Sequence, residues 1–308
     1  MKARHSCTFT LILAEVQWRG GTIVWDHLVL TKSRDIPVSV IRSLATQDLM
    51  LPKDELLKGV ENRESVARVI DQANQAIRTW EVVATDFLTP PELFEVKAQF
   101  DRLTEVTLTS GGGYPQAERQ RLAIARSELP LDEQAVEVAI LSISGNFLFD
   151  SATHRDFLGA LLGTGLVREK VGDVIVLGDR GAQVIVVPEL VDFLTANLTQ
   201  VRSVPVKTRQ IAPEDLRIPA PRIKELTTVE ASLRLDAIAS AGFGMSRSKM
   251  VGLINGGDVR VNWKVVTQAS HPLKAEDLIA IRGKGRVMVG EIQVTKKERY
   301  RVGLTRYL

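Results

Sequence analysis

Cysteine is almost missing from this 308-residue chain: Cys7 stands alone. A single thiol excludes an internal disulfide framework and favours a reducing compartment such as the cytoplasm. Long apolar runs are missing too. No stretch approaches the ~18 apolar residues that a membrane-spanning helix requires, so membrane insertion is not expected. The histidines, His5, His27, His154 and His271, are scattered, and with one cysteine they offer no zinc-ligand spacing. No glycine-rich cofactor loop follows a strand before the proline-bearing region, which disfavours a methyltransferase. "GGGYPQ" at 111–116 lacks the lysine and the spacing of a phosphate-binding P-loop. "SATHRD" holds Ser151, His154 and Asp156, but within one helical turn, whereas triads assemble in space; it reads as a capped helix start. No cofactor and no metal are expected.

What the chain does have is unevenly placed charge. Its net charge is only +3, yet residues 228–308 hold 14 Lys/Arg against 7 Asp/Glu, and the remainder holds 26 against 30. A basic C-terminal quarter on an otherwise acidic chain is the footprint of a polyanion partner.

The periodicities divide the chain into an α+β architecture. Residues 1–49 fit the rest badly and read as an extension, with Met50 as an alternative start; the apolar run after "MKARHSC" is too short for a signal peptide. From 50 to 130 the reading is a mostly helical unit. Apolar residues from Leu56 to Ile77 recur at helical spacing, and Thr89-Pro90-Pro91-Glu92 supplies a capping box and an N1 proline for a second helix to about Leu103. A short helix is expected from Pro115. Arg119, Arg121 and Arg126 read as a solvated face, with a weak second RNA contact as the alternative. From 131 to 210 the order strand-helix-strand-strand-helix-strand predicts an α/β plait of the ferredoxin or RNA-recognition type. Its central hairpin, "VIVLG" and "QVIVV", carries no aromatic residue, so bases are not expected to stack there as in RNA-recognition modules. Prolines 205, 213, 219 and 221 mark a linker at 211–227, and a basic unit follows at 228–308.

In that unit, "GFGMSRSKMVGLINGGDVRVNWKVV" (242–266) carries the strongest signal. Glu230 to Ala241 reads as one helix. Ser246 caps a second, whose first turn presents Arg247, Ser248 and Lys249 beside free backbone N–H groups and the positive end of the helix dipole. Basic residues there are disfavoured by a few tenths of a kcal/mol unless an anion sits among them, and such a terminus binds phosphate. Gly256-Gly257 releases the chain into "DVRVN", with Val259 and Val261 inward and Asp258, Arg260 and Asn262 outward. A hairpin at Trp263-Lys264 follows.

The stretch from "LRLDAIAS" through "SRSKMVGLINGGDVRVNWKVV" to "HPLKAEDLIAIRG" resembles the S4-type RNA-binding domain. The resemblance implies an RNA surface of Arg234, Leu235 and Asp236 in the first helix and of Ser246, Arg247, Ser248 and Lys249 in the second. It continues over Gly257, Asp258, Val259, Arg260, Asn262, Trp263 and Lys264; Trp263 stands where many members have glycine. From Met50 on, "GGGYPQAERQRLAIA", the plait and the C-terminal position of the S4-like stretch resemble the YlmH-like proteins, including the cyanobacterial and plastid branch called photosystem II S4 domain proteins. This implies a non-enzymatic RNA-binding protein contacting ribosomal RNA and tRNA on the large ribosomal subunit, in translation or ribosome quality control, with messenger RNA as another target. The alternatives are an assembly or scaffold factor, photosystem II-related or not, that uses the S4-like unit as an anchor, and a pseudouridine synthase. "RLD" at 234–236 occurs in such synthases, where the aspartate is the nucleophile, but the 72 residues after Asp236 leave no room for the catalytic domain.

Overall fold

The computed structural model describes residues 12–19, 22–30, 50–220 and 222–307. Strands β1 (Ile12–Arg19) and β2 (Thr22–Leu30) form an antiparallel hairpin, and Met1–Met50 is a unit separate from Leu51–Leu308. The other expectations for residues 1–49 lie outside the described residues.

The expected helix from Leu56 to Ile77 is two helices, α1 (Lys53–Leu56) and α2 (Arg63–Thr79). The break falls where Gly59 takes a positive φ of 72°, which a continuous helix does not allow. In α2, Val66, Val69, Ile70, Ala73 and Ile77 form the buried stripe that the spacing predicts. Helix α3 (Pro90–Phe100) begins at the expected capping box, where Glu92 accepts from the Thr89 backbone N–H at 2.7 Å.

A three-stranded antiparallel sheet, ordered β3 (Val83–Ala84), β5 (Arg121–Arg126), β4 (Val106–Gly111), packs with the helices of this unit. No helix starts at Pro115; the segment turns directly into β5. Every residue of β5 is buried, which overturns both readings of its arginines. Arg119, just before it, donates to the carbonyls of Val171 and Phe87 at 3.1 and 2.9 Å, and Arg121 donates to Thr85 O at 2.7 Å. Arg126 lies over the Trp80 ring at 3.8 Å and pairs with Glu128 at 2.9 Å. These guanidiniums tie distant loops together, and neither solvent nor RNA meets them as a face.

The plait is present. Strands β6 (Ala139–Ser144), β7 (Val171–Val176), β8 (Gly181–Val186) and β11 (Lys207–Ile211) pair antiparallel in the order β11-β6-β8-β7, with α4 (His154–Gly163) between β6 and β7 and α5 (Val191–Asn197) after β8. Leu141, Ile143, Phe157, Leu161, Val184 and Leu194 form its core. The small pair β9 (Gln200–Val201) and β10 (Val204–Pro205) precedes β11. The opposite sheet face is covered as well, because Phe87 packs on Ile140, Ile185 and Val187. Gln183 meanwhile bonds the backbone of Asp215 and Arg217 at 2.9 and 2.7 Å. That face, the one RNA-recognition modules use, is therefore occupied by the chain itself.

The C-terminal unit starts inside the expected linker. Strand β12 (Ile223–Glu230) pairs along its length with β17 (Tyr300–Tyr307), and a six-stranded sheet runs β12-β17-β16-β15-β13-β14. The others are β13 (Val259–Val261), β14 (Lys264–Val265), β15 (Leu278–Ile281) and β16 (Gly285–Val294). The expected helix 230–241 is α6 (Leu235–Phe243), shortened because Glu230 is held in β12. After Gly244, φ 65°, the chain turns into α7 (Arg247–Asn255). Leu235, Ile238, Phe243, Met250 and Ile254 bury these helices against Val287, Val302 and Leu304 of the sheet.

Candidate nucleic-acid interface

Ser246 caps α7 as the sequence predicts: its backbone is extended and its Oγ accepts from the Lys249 N–H at 3.4 Å. Ser246, Arg247, Ser248 and Lys249 are all exposed. The explanation for Arg247 at a helix N-terminus is partly internal. Its Nε donates to Asp236 Oδ2 at 2.9 Å, while Arg234 Nε donates to Asp236 Oδ1 at 3.0 Å. The Asp236 side chain is 5% exposed, whereas those of Arg234 and Arg247 are 41% and 55% exposed. Burial alone would raise the carboxyl pKa, but the bonds from Arg247 and Arg234 outweigh it and hold Asp236 below the ordinary aspartate value.

One buried carboxylate thus braces two exposed guanidiniums and leaves one surplus positive charge. Lys249 adds another and has no ion-pair partner among the described residues. Free backbone N–H groups, the helix dipole and this surplus occupy one mouth, the chemistry that binds phosphate oxygens.

Other expected site residues are placed differently. Leu235 and Val259 are fully buried and belong to the core, so neither side chain offers a surface. Asp236 is a brace beneath the surface. Gly257 leaves α7 with φ 78°, and Asp258 is exposed beside it. The two-residue turn is Asn262-Trp263, not Trp263-Lys264, since Val261 pairs with Lys264. Positive φ at both residues, 47° and 68°, makes it the tight hairpin geometry in which glycine and asparagine are preferred, so the indole of Trp263 stands on an unfavourable backbone. Asn262 does not point to a partner outside the chain: its side chain donates to Asp277 at 2.8 Å and accepts from the Leu278 N–H at 2.9 Å.

Arg260 and Lys264 face the N-terminal part of the chain. Arg260 pairs with Glu61 at 2.8 Å and donates to Trp263 O at 2.9 Å, and the Lys264 ammonium sits 5.6 Å from the centre of the Phe94 ring. Trp263 lines a cleft with Phe94 and Leu93 of α3, and Arg286 pairs with Glu118 nearby. The structure therefore gathers Arg234, Ser246, Arg247, Ser248 and Lys249 and directs Arg260, Trp263 and Lys264 toward the N-terminal part of the chain, with Lys264 exposed and the other two half-buried.

Two cations beside the mouth were not expected from the sequence. Lys284, at the β15–β16 turn, and Arg306, in β17, line a shared hollow with Lys249. The signal was present in "RGKGR" (282–286), a basic turn punctuated by two glycines.

Comparison with known proteins follows the same division of the chain. The family model described as YlmH, N-terminal matches residues 61–129, the putative RNA-binding domain in YlmH matches 132–215, and the S4 domain matches 233–279. Ribosome-associated protein quality control protein P2 of Bacillus subtilis (strain 168) is 36% identical over 249 residues, covering 79% of this chain and 96% of that protein. The solved structure of cell division protein ylmH from Streptococcus pneumoniae shares 17% identity at a TM-score of 0.45, covering 52% of this chain and 96% of that one.

Proposed function

The chain belongs to the YlmH family of S4-domain proteins, and from that premise we propose that it binds structured RNA on the large ribosomal subunit, without catalysis, in translation or ribosome quality control. The observation that carries the proposal is the mouth of α7, where Arg234 and Arg247 share buried Asp236 and Lys249, with no ion-pair partner among the described residues, stands among exposed serines. Ribosomal RNA and tRNA are the partners in this reading, and the name of the Bacillus subtilis relative, a ribosome-associated quality control protein, supports the ribosomal setting. The RNA-facing set is Arg234, Ser246, Arg247, Ser248 and Lys249, with Gly257 and Asp258 at its edge. No described helix is long and apolar enough to cross a membrane, and the proposal needs none.

Ultraviolet crosslinking in cells, with sequencing of the attached RNA, tests this directly. Reads concentrated in large-subunit ribosomal RNA and tRNA are expected; reads in a few messenger RNAs would make the protein a transcript regulator, and no enrichment would refute RNA binding. In vitro, about four to six phosphate contacts give a slope of log K against log[salt] of roughly −3 to −4. Arg247→Gln with Lys249→Gln should remove most of the affinity. Glutamine is the proper choice at 247, because a carboxylate there would face buried Asp236 and disturb the fold.

The assembly-factor reading retains one observation. Leu148 and Phe149, in the β6–α4 loop, are 64% and 92% exposed, on a loop where Asp150 pairs with Arg202 at 3.0 Å. A nearly flat salt slope would favour that reading.

A further inference from the structure

The basic surface at α7 does not continue toward the β13–β14 hairpin, because Arg260 and Lys264 are engaged by Glu61 and Phe94. It continues the other way. A hollow of about 570 Å³ opens beside the N-terminus of α7, with Lys249, Lys284 and Arg306 on its walls and Phe243 and Met245 as its apolar lining. None of the described residues lining it is acidic, and none of its three cations has an ion-pair partner among the described residues. Three positive charges from three separate elements converge there without a counter-charge.

Two features make the hollow a prepared site rather than a chance gathering of surface lysines. Arg306 is held in place: its Nη1 donates to Phe243 O at 3.0 Å and its guanidinium lies 5.6 Å from the Phe243 ring centre. Its Nε is buried with no acceptor, an uncommon state for a buried donor, so the guanidinium lacks both a counter-charge and a full set of bonds. Lys284 is carried on a tight turn between Gly283 and Gly285, with φ 73° and 90°. A Cβ at Gly285 would come within 2.7 Å of Tyr307 O, so glycine is what permits the turn to close onto β17 and set Lys284 over the hollow.

We propose that this hollow binds a phosphate group of the RNA backbone, so that the RNA path leaves the mouth of α7 across Lys284 and Arg306. The proposal rests on the RNA-binding reading above and extends it beyond residues 233–279, the part that matches the S4 domain. Phosphate is favoured over a base because three cations converge with no carboxylate or amide side chain among the described lining residues, the donor set that meets the backbone's oxygens.

The test is binding of the full chain to purified large ribosomal subunits over a potassium chloride series. Lys284→Gln should weaken binding several-fold and reduce the salt slope by about 1, and Lys249→Gln with Lys284→Gln by about 2. Lys296→Gln makes the same charge change in the turn at the other end of the β16–β17 hairpin and should leave the slope as it is. Lys284 is exposed and has no ion-pair partner among the described residues, so its variant should keep the parent melting temperature. A Lys284→Gln slope equal to that of the parent, or an equal fall with Lys296→Gln, would overturn the phosphate site. If the parent slope is steep and only Arg247→Gln with Lys249→Gln flattens it, RNA binding stands and the hollow fails. If the parent binds with no salt dependence, both readings fall. Capture of the parent by anionic vesicles through Lys284, with subunit binding unaffected, would reassign the hollow to lipid headgroups and overturn it too.

Discussion

Replacing Asp236 by asparagine removes one charge and almost no volume, and it isolates the brace from the contact. In the parent, three charge-assisted bonds converge on this carboxylate, from Arg234 Nε at 3.0 Å, Arg234 Nη2 at 3.4 Å and Arg247 Nε at 2.9 Å. Both guanidiniums are about half exposed, so solvent screens them, and each pair stabilises by ~0.5–1 kcal/mol rather than the larger value of a fully buried pair. Asp236→Asn should therefore cost ~1–2 kcal/mol, a fall of about 2–8 °C in melting temperature for a unit of this size. The effect has a defined pH dependence. The folded carboxyl pKa is lowered, so the stabilisation is fully present above the ordinary aspartate value of ~3.9 and is lost as pH falls through the lowered value. Thermal melts of parent and variant at pH 7 should differ by the amount above, and the gap should close at pH values below the folded pKa. RNA affinity should fall where ordering dominates, because Arg234 and Arg247 regain rotamer freedom at ~0.5–1.5 kcal/mol each, while the salt slope should not flatten, because no cation is removed and one neutralising carboxylate is. A variant within 1 °C of the parent at pH 7, where the calculation requires at least ~2 °C, would refute the brace.

Two other perturbations test the placement of the remaining arginines. Glu61→Gln breaks the pair with Arg260, which is half exposed on the Glu61 side and worth ~0.2–1 kcal/mol; it should barely move the melting temperature while raising RNA affinity up to about 5-fold if the hairpin cations then join the contact, and an unchanged titration would mean the hairpin takes no part. Arg119→Ala leaves the Phe87 carbonyl without its side-chain donor and the Val171 carbonyl with Arg168 alone, and should destabilise the chain by ~1–3 kcal/mol; the folded fraction should bind RNA with the parent affinity and slope, and a lost slope would return Arg119 to the RNA surface.

The legible parts of this molecule are those whose causes lie close together in the chain. The plait could be read because its strands and helices each carry their own period, and the mouth of α7 because Ser246, Arg247, Ser248 and Lys249 are consecutive. The capping box at Thr89 was legible for the same reason, its partner being three residues away. What could not be read depended on partners far along the chain. Glu230 looked helical until β17, some 70 residues on, claimed it for a strand. Arg119 and Arg121 looked solvated because nothing local announces carbonyls 52 and 36 residues back or forward.

The same rule explains the error of direction at the candidate site. Arg260 and Lys264 alternate outward from β13 and β14 as the pattern requires, but outward there means toward Glu61, 199 residues earlier, and toward Phe94. A cation with a partner elsewhere in the fold is part of the fold. Lys249, Lys284 and Arg306, which line one hollow and have no carboxylate partner among the described residues, mark the surface left for a polyanion. This unit therefore has two basic sides with different work: the hairpin side fastens it to the N-terminal part of the chain, and the α7 side carries charge that only a partner can neutralise.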